Sequence, residues 1–257
     1  MLNIPTLSFC ITCKNRFHQI KETLPKNLND NSLFKDKIEF VLVDFDSKDG
    51  LHDWIMDNFQ TQLNEGYLKY YFTSELPFWH ASVAKNTSHI CASNDIVVNL
   101  DCDNYTGKNG GKFVIRNFLK SDSHIVLHQY AGLSFDGTFG RISLNRKDFL
   151  NLGGYDERFE PMGHQDSDLI KRAKLSGLLY KHRPEIVYST AIKNSVDDGT
   201  KFCETNLTYF QMRDINEQKS NENIKNGVYR ANRSDFGIRK NIFDYKSQEL
   251  KITEKQY

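Results

Sequence analysis

The sequence predicts an α/β fold with a mainly parallel central sheet flanked by helices, followed by a helical C-terminal appendage. Three observations carry this expectation. Short apolar, β-branched runs alternate with helical stretches over the first hundred residues. These runs end in polar clusters, as strands do at the ligand-binding edge of an open α/β sheet. Beyond about residue 200 the chain becomes polar and rich in Asn, Lys and Glu.

Taken in order, Leu7 to Thr12 is an apolar run between Pro5 and Lys14-Asn15-Arg16 and reads as a buried strand. A helix follows from Phe17 to Asn29, which Pro25 should end or kink. Ile38 to Asp44 (IEFVLVD) is the clearest strand, stopped by the turn-forming Asp46-Ser47-Lys48-Asp49-Gly50. Leu51 to Leu63 has helical spacing, with Trp54, Ile55 and Phe59 on one side. Leu68 to Phe72 is a third strand and Ala81 to Ala92 the next helix. Asp95 to Leu100 is a fourth strand, running directly into Asp101-Cys102-Asp103. In the second half, His124 to Tyr130, Arg141 to Leu144 and Ile186 to Ser189 read as strands. Lys147 to Leu152 reads as a short helix, and Asp166 to Ser176 as a longer one stopped by Gly177. After residue 200, helices should pack on the domain and give way to a loosely ordered end.

Composition narrows the function. With 34 basic and 33 acidic side chains, the net charge of +1 gives no electrostatic case for a nucleic-acid binder. No apolar run approaches the roughly 18 residues of a membrane helix, and Met1 to Phe9 lacks a secretion-signal layout. Five irregularly spaced cysteines make no disulfide framework, so a reducing, cytoplasmic home is expected. Cys10-x-x-Cys13 has no second pair to complete a zinc site, and both read as strand and loop residues.

Asp101 and Asp103 are the chemical focus. Two carboxylates one residue apart, just beyond an apolar strand, repel one another and invite a divalent cation such as Mn²⁺ or Mg²⁺. A plain polar turn would also use Asp here. Asp44 and Asp46 end a neighbouring strand at the same edge, where a carboxylate can accept from a nucleobase N–H or ribose hydroxyls. Asp166 opens a helix after the flexible Gly163. It suits either a base that takes a proton from a hydroxyl or a simple N-cap. Phe78-Trp79-His80 and Tyr130 are aromatics near the expected cleft, and Trp79 is a candidate acceptor or donor wall for a sugar. Phe135-Asp136-Gly137, among glycines at 132, 137 and 140, suits a loop over the site.

The order SFCITCKNR, VLVDFDSKDG and AKNTSHICASNDIVVNLDCDN resembles the nucleotide-binding half of family-2-type glycosyltransferases with the GT-A fold, over roughly residues 5 to 105. The resemblance implies nucleoside contacts at Thr12, Arg16, Asp44 and Asp46, donor contacts at Lys85 and Asn86, and an Asp-x-Asp motif at Asp101 and Asp103. Further on, GRISLNRKDFLNLGGYDERFEPMGHQDSDLIKRAKLSG resembles the acceptor-side segment of galactosyltransferase-like enzymes. It implies Asp166 as the catalytic base, with Asp168 as the alternative, and places Gln165 where that family carries Glu. His182 is the nearest candidate for a further metal ligand, and His164 for an acceptor contact.

The resemblance therefore implies a catalytic domain over residues 1–200, with a nucleotide-binding half at 1–105 and an acceptor-side half at 106–200, and a polar helical extension over 201–257. It implies an inverting transfer of a hexose or N-acetylhexosamine from a UDP-sugar to a glycan or lipid-linked acceptor of a bacterial surface polysaccharide. Peripheral contact with the inner face of a membrane would suit such an acceptor. Two rivals stand beside it. A sugar nucleotidyltransferase would carry a Gly-rich loop after the first strand, where this chain has Thr12-Cys13-Lys14-Asn15-Arg16. A catalytically inactive carbohydrate-binding relative would have lost the Asp-x-Asp or the base.

Overall fold

The computed structural model describes residues 4–121, 124–132, 137–195, 199–247 and 249–251. Four strands, β1 (Leu7–Cys13), β2 (Ile38–Asp44), β3 (Leu68–Phe72) and β4 (Ile96–Asn99), pair in parallel in the order β3-β2-β1-β4. Their near-continuous apolar sequences follow from helices covering both faces. Alternate residues serve two cores: Phe9, Ile11, Phe40 and Leu42 pack on one side, and Cys10, Val41 and Val43 on the other. Cys10 and Cys13 fall into opposite cores, so they cannot converge on a shared metal.

Beyond β4 the sheet is mixed. β7 (Ile142–Asn145) runs antiparallel between β4 and β6 (Ile125–His128), and β8 (Leu179–His182) pairs in parallel with β6 at the edge. β8 went unpredicted because Leu-Tyr-Lys-His carries little apolar signal. The expected strand at 186–189 is instead a 3-10 turn, Ile186–Tyr188. A separate two-stranded ladder joins β5 (Asn104–Tyr105) to β9 (Thr190–Ala191), tying the segment after Asp101-Cys102-Asp103 to the chain around residue 190.

The helices refine the sequence expectations. α1 (Phe17–Asn31) passes through Pro25, which lies on the exposed face while Ile20, Leu24 and Leu28 are buried. The single helix expected over 51–63 divides at Phe59 into α2 (Leu51–Asn58) and α3 (Gln60–Glu65). α4 (Ala81–Cys91) is buried along almost its whole length. α5 (Gly110–Leu119) was unpredicted. Its Gly111 abuts Ile38 so closely that a β-carbon would lie 2.4 Å from Cδ1, which accounts for a glycine where helix propensity disfavours one. α6 (Arg146–Asn151) and α7 (Gln165–Leu175) lie where expected.

The expected helical extension is only partly helical. α8 (Tyr209–Lys225) starts with a capping box in which Thr208 and Gln211 exchange bonds. The chain then returns to the sheet, buries Phe236 and Ile242, and adds β10 (Ile242–Asp244) antiparallel to β3. β11 (Glu249–Lys251) pairs with β10 and completes a main sheet of nine strands among the described residues. Sparse apolar residues in a polar stretch hid these edge strands from pattern reading. No helix among the described residues is long and apolar enough to cross a membrane.

Candidate active site

A cleft of about 720 Å³ opens at the carboxyl ends of β1 and β4. This is where strands leaving a parallel sheet diverge and their loops leave space. Thr12, Arg16 and Gln19 line one end, Asp101 and Asp103 the floor, and Trp79 and Lys85 of the α4 segment a wall. Gly163, His164, Gln165 and Asp166 close the other side, together with Tyr209 and Arg213 of α8. The 201–257 segment thus contributes to the site rather than standing apart from it.

Lys85 ties the two chemical groups together. Its buried Nζ lies 2.8 Å from Asp166 Oδ1 and 3.5 Å from Asp101 Oδ1, with the Tyr155 ring centroid 5.4 Å away. Burial disfavours the ammonium, but Asp101 and Asp166 outweigh it and hold the Lys85 pKa above the ordinary range. The Asp166 carboxyl is shifted up, chiefly by burial and also by Asp101, with Lys85 opposing. Asp166 occupies the first turn of α7, where free N–H groups favour a carboxylate.

Neighbouring amides fix the Asp-x-Asp. Asn99 Nδ2 donates to Asp101 Oδ1 (3.0 Å) and to the Gly140 carbonyl (2.9 Å). Asn104 Nδ2 donates to Asp103 Oδ1 (2.6 Å), while its own Oδ1 accepts from Arg141 (2.7 Å). Thr23 Oγ1 donates to the carbonyl of Cys102 (2.6 Å). Gly140 comes so close that a β-carbon there would lie 2.7 Å from Asp101 Oδ2. Burial, then Asp101, pushes the Asp103 pKa up to about 6.

These carboxylates fit a divalent cation. Crowding one carboxylate against another in a part-buried floor is costly without a counter-charge, and the raised Asp103 pKa reflects that cost. No cluster of three or more His, Cys, Asp or Glu forms a metal site among the described residues. That donor set suits a hard ion held by one or two carboxylates, with phosphate oxygens and water completing its shell.

Several sequence expectations meet a different arrangement. Asp44 is fully buried and accepts from Ser47 N (2.9 Å) and Tyr70 Oη (2.9 Å), and burial raises its pKa. Asp46 pairs with Lys48. Neither lines the cleft, and a nucleoside contact by Asp44 would require the residues that bury it to move aside. Asn86 points away from the donor side. Its amide bonds Tyr155 N and O (both 2.8 Å) and Glu157 (2.9 Å), clamping the Gly153-Gly154-Tyr155 turn. Asp168 is fully buried against Arg172 (2.7 Å) and does not reach the cleft, which removes it as the alternative base. His182 bonds the Tyr130 carbonyl (3.0 Å) instead of joining the Asp pair. Phe135 and Asp136 lie outside the described residues.

Residues the sequence reading missed include Gln19, Asn99, Asn194, Tyr209 and Arg213. Asn194 donates to Asp103 and accepts from Gln19, linking the floor to α1. Asn99 offered a signal: an amide inside an otherwise apolar strand, two residues before Asp101. Gln165 is 7% exposed, borders the cleft, and its Oε1 has no protein hydrogen-bond partner.

Comparison with known proteins places this architecture. Residues 126–194 match the family model described as the N-terminal domain of galactosyltransferase. No curated protein matches the chain. Among solved structures, it is similar to the mannosyltransferase PcManGT of Pyrobaculum calidifontis, in complex with GDP-Man and Mn²⁺. That match has TM-score 0.58 and 18% identity over 76% of this chain and 58% of that one. It is also similar to residues 1–349 of TarS of S. aureus in complex with UDP-GlcNAc, with TM-score 0.61 and 17% identity over 74% of this chain and 59% of that one. TarS with UDP matches with TM-score 0.61 and 16% identity over 86% and 72%. The chain spans less than two thirds of the first of these relatives. The fold is that of the GT-A glycosyltransferases.

Proposed function

We propose that this protein is a metal-dependent, inverting glycosyltransferase that takes its sugar from a nucleotide-diphospho-sugar. One observation carries the reading: a single cleft faces the Asp101–Asp103 pair with Asp166, and Lys85 bridges Asp101 to Asp166. Metal-floor carboxylates and a separate, part-buried carboxylate at a helix start are the two groups such a transfer needs. The complexes of similar structures with UDP-GlcNAc and with GDP-Man and Mn²⁺ support the donor class.

Asp103, with Asp101, would hold Mn²⁺ or Mg²⁺. The ion supplies charge stabilisation to the departing diphosphate. Thr12, Arg16 and Gln19 border the nucleoside end. Asp166 accepts the proton of the acceptor hydroxyl as its oxygen attacks the anomeric carbon. The donor–phosphate bond breaks on the opposite face, and a single base on the acceptor side gives inversion. Lys85 keeps Asp166 charged and oriented until the acceptor arrives. Trp79 and Gln165 border the acceptor side. A UDP-linked hexose or N-acetylhexosamine is the first donor to try, and a glycan or lipid-linked saccharide of a bacterial surface polymer the first acceptor class.

A panel of UDP-, GDP- and CDP-sugars, assayed for nucleoside diphosphate release with and without Mn²⁺, tests the proposal. Metal-dependent release from one donor class is expected. Absence of release from every donor, together with no metal-dependent nucleotide binding, would overturn it.

A further inference from the structure

The cleft does not end at Asp166. A second hollow of about 290 Å³ continues from it, and the two share Tyr130, Phe139 and Ser167 as a common wall. Ile170 and Lys174 of α7 and Tyr180 of β8 line its far side. Ser167, Ile170 and Lys174 fall at helical spacing on one face of α7, and Ser167 immediately follows Asp166. The hollow therefore begins one residue from the proposed base and runs away from the nucleotide end. It contains none of Thr12, Arg16, Asp101 or Asp103.

Its chemistry is specific. Buried His128 also borders the hollow and ties its walls together, bonding the Phe139 carbonyl (2.7 Å) and the Tyr180 hydroxyl (3.1 Å). Tyr130 stacks on His128 at 4.5 Å, and Phe139 meets both rings edge-on or tilted at 4.8 and 5.1 Å. Phe139 remains 42% exposed, leaving aromatic surface uncovered beside the active-site cleft. The Lys174 ammonium lies 5.7 Å from the Tyr180 ring centroid. Flat aromatic surface rimmed by a hydroxyl, a phenol and an ammonium matches a pyranose, whose C–H face is apolar and whose edge carries hydroxyls. The volume suits one such ring.

We infer that this annex is a second acceptor subsite, and that the acceptor is a saccharide of at least two units. The first unit meets Asp166 and the next rests in the pocket of Tyr130, Phe139 and Tyr180. This rests on the glycosyltransferase reading, and the test separates the two. Initial rates of nucleoside diphosphate release are measured with matched probes: methyl β-glucoside against cellobiose, methyl β-galactoside against lactose, and methyl N-acetyl-β-glucosaminide against N,N′-diacetylchitobiose. Saturation-transfer NMR of the same probes runs in parallel, with UDP and Mn²⁺ present.

At least one disaccharide is expected to exceed its monosaccharide in kcat/KM on the order of fivefold to tenfold, with both of its rings receiving magnetisation. In Tyr180→Ala that ratio should fall towards one, and the second ring should lose its NMR contact. Lys174→Ala, on a solvent-facing rim, provides a second variant should Tyr180→Ala fold poorly. Metal-dependent donor turnover with no disaccharide advantage, or with no saccharide bound, would overturn the annex and leave the transferase reading intact. Saccharide binding in the annex without nucleotide binding or donor turnover would overturn the transferase reading instead.

Discussion

The proposed donor edge and the proposed acceptor edge of the cleft are held by different physics. Behind Asp101 and Asp103 stand strands whose side chains are buried on both faces, with Phe9, Phe40, Leu42 and Val98 among fully or almost fully buried residues. The acceptor edge is held largely by amides and guanidinium groups bonded to backbone carbonyls. Asn216 of α8 donates to the carbonyls of Glu160, Met162 and Gly163, and accepts from Glu160 N. Arg172 bonds the carbonyls of Leu152 and Gly154, and Asn232 those of Gly153 and Tyr155. Apolar packing is non-directional and tolerates small shifts, whereas these bonds hold an irregular loop only in one geometry. A loop that presents Asp166 and Gln165 needs the second kind of support.

Catalysis should separate the edges most strongly. Asp166→Asn is expected to lower transfer by about 10²- to 10⁴-fold with donor binding retained. Asp103→Ala should instead abolish metal-dependent nucleotide binding, read by calorimetry with and without Mn²⁺. If Asp166→Asn transferred at a near-normal rate, the base would lie elsewhere and the acceptor edge would lose its assigned role.

Stability should separate them next. Phe40→Ala empties a site between sheet and helix and should cost about 3–5 kcal/mol. Asn216→Leu keeps similar bulk but strands carbonyls, and should cost about 1–3 kcal/mol. Urea unfolding measures both. Transfer should drop further in Asn216→Leu than in Phe40→Ala under conditions where both remain folded. Equal losses of transfer would break the contrast.

The seam between the edges carries a pH dependence. His89 of α4 stacks on Phe149 at 4.4 Å, bonds the Lys85 carbonyl, and is driven by burial down to a pKa of about 3. The unfolded chain, with an imidazole near 6.5, binds this proton first. The stability from neutral His89 is therefore present above about pH 6.5 and is lost as pH falls from there towards 3. A decline on the order of a few kcal/mol is expected on unfolding at pH 7, 5.5 and 4.5, and His89→Gln should flatten it. An unchanged slope in that variant would assign the acid sensitivity to carboxylates.

The smallest effect belongs to α8. Removing the Thr208 cap in Thr208→Ala should cost about 1 kcal/mol and loosen Tyr209 and Arg213 at the cleft. A higher acceptor KM with unchanged donor KM is the expected signature.

The same contrast explains what was legible in the sequence. Ile38–Asp44 and Leu68–Phe72 were read to the residue because apolar packing writes itself as runs and periods. The Asp pair and Asp166 could be placed because they adjoin such elements. Asn216 and Asn232 left no trace, since an amide reaching a distant carbonyl looks in sequence like any polar residue of a surface stretch. Asp44 misled for a related reason. The end of a strand located its backbone, but Tyr70 and Ser47, which turn the carboxylate inward, lie on other segments. Asp168 stood in the sequence as the alternative to Asp166, and the turn of α7 separates them, one toward the cleft and the other onto Arg172.

The return of the chain to β3 also bears on biosynthesis. Until the residues of β10 leave the ribosome, β3 displays an unpaired strand edge, and the positions later covered by Phe236 and Ile242 stay open to water. Such an edge is a template for pairing with another chain. The segment from Phe236 to Lys251 therefore acts as a built-in guard against aggregation, applied only after the strands it covers have been made. Messages cut short in that region should yield insoluble protein despite encoding every carboxylate of the site.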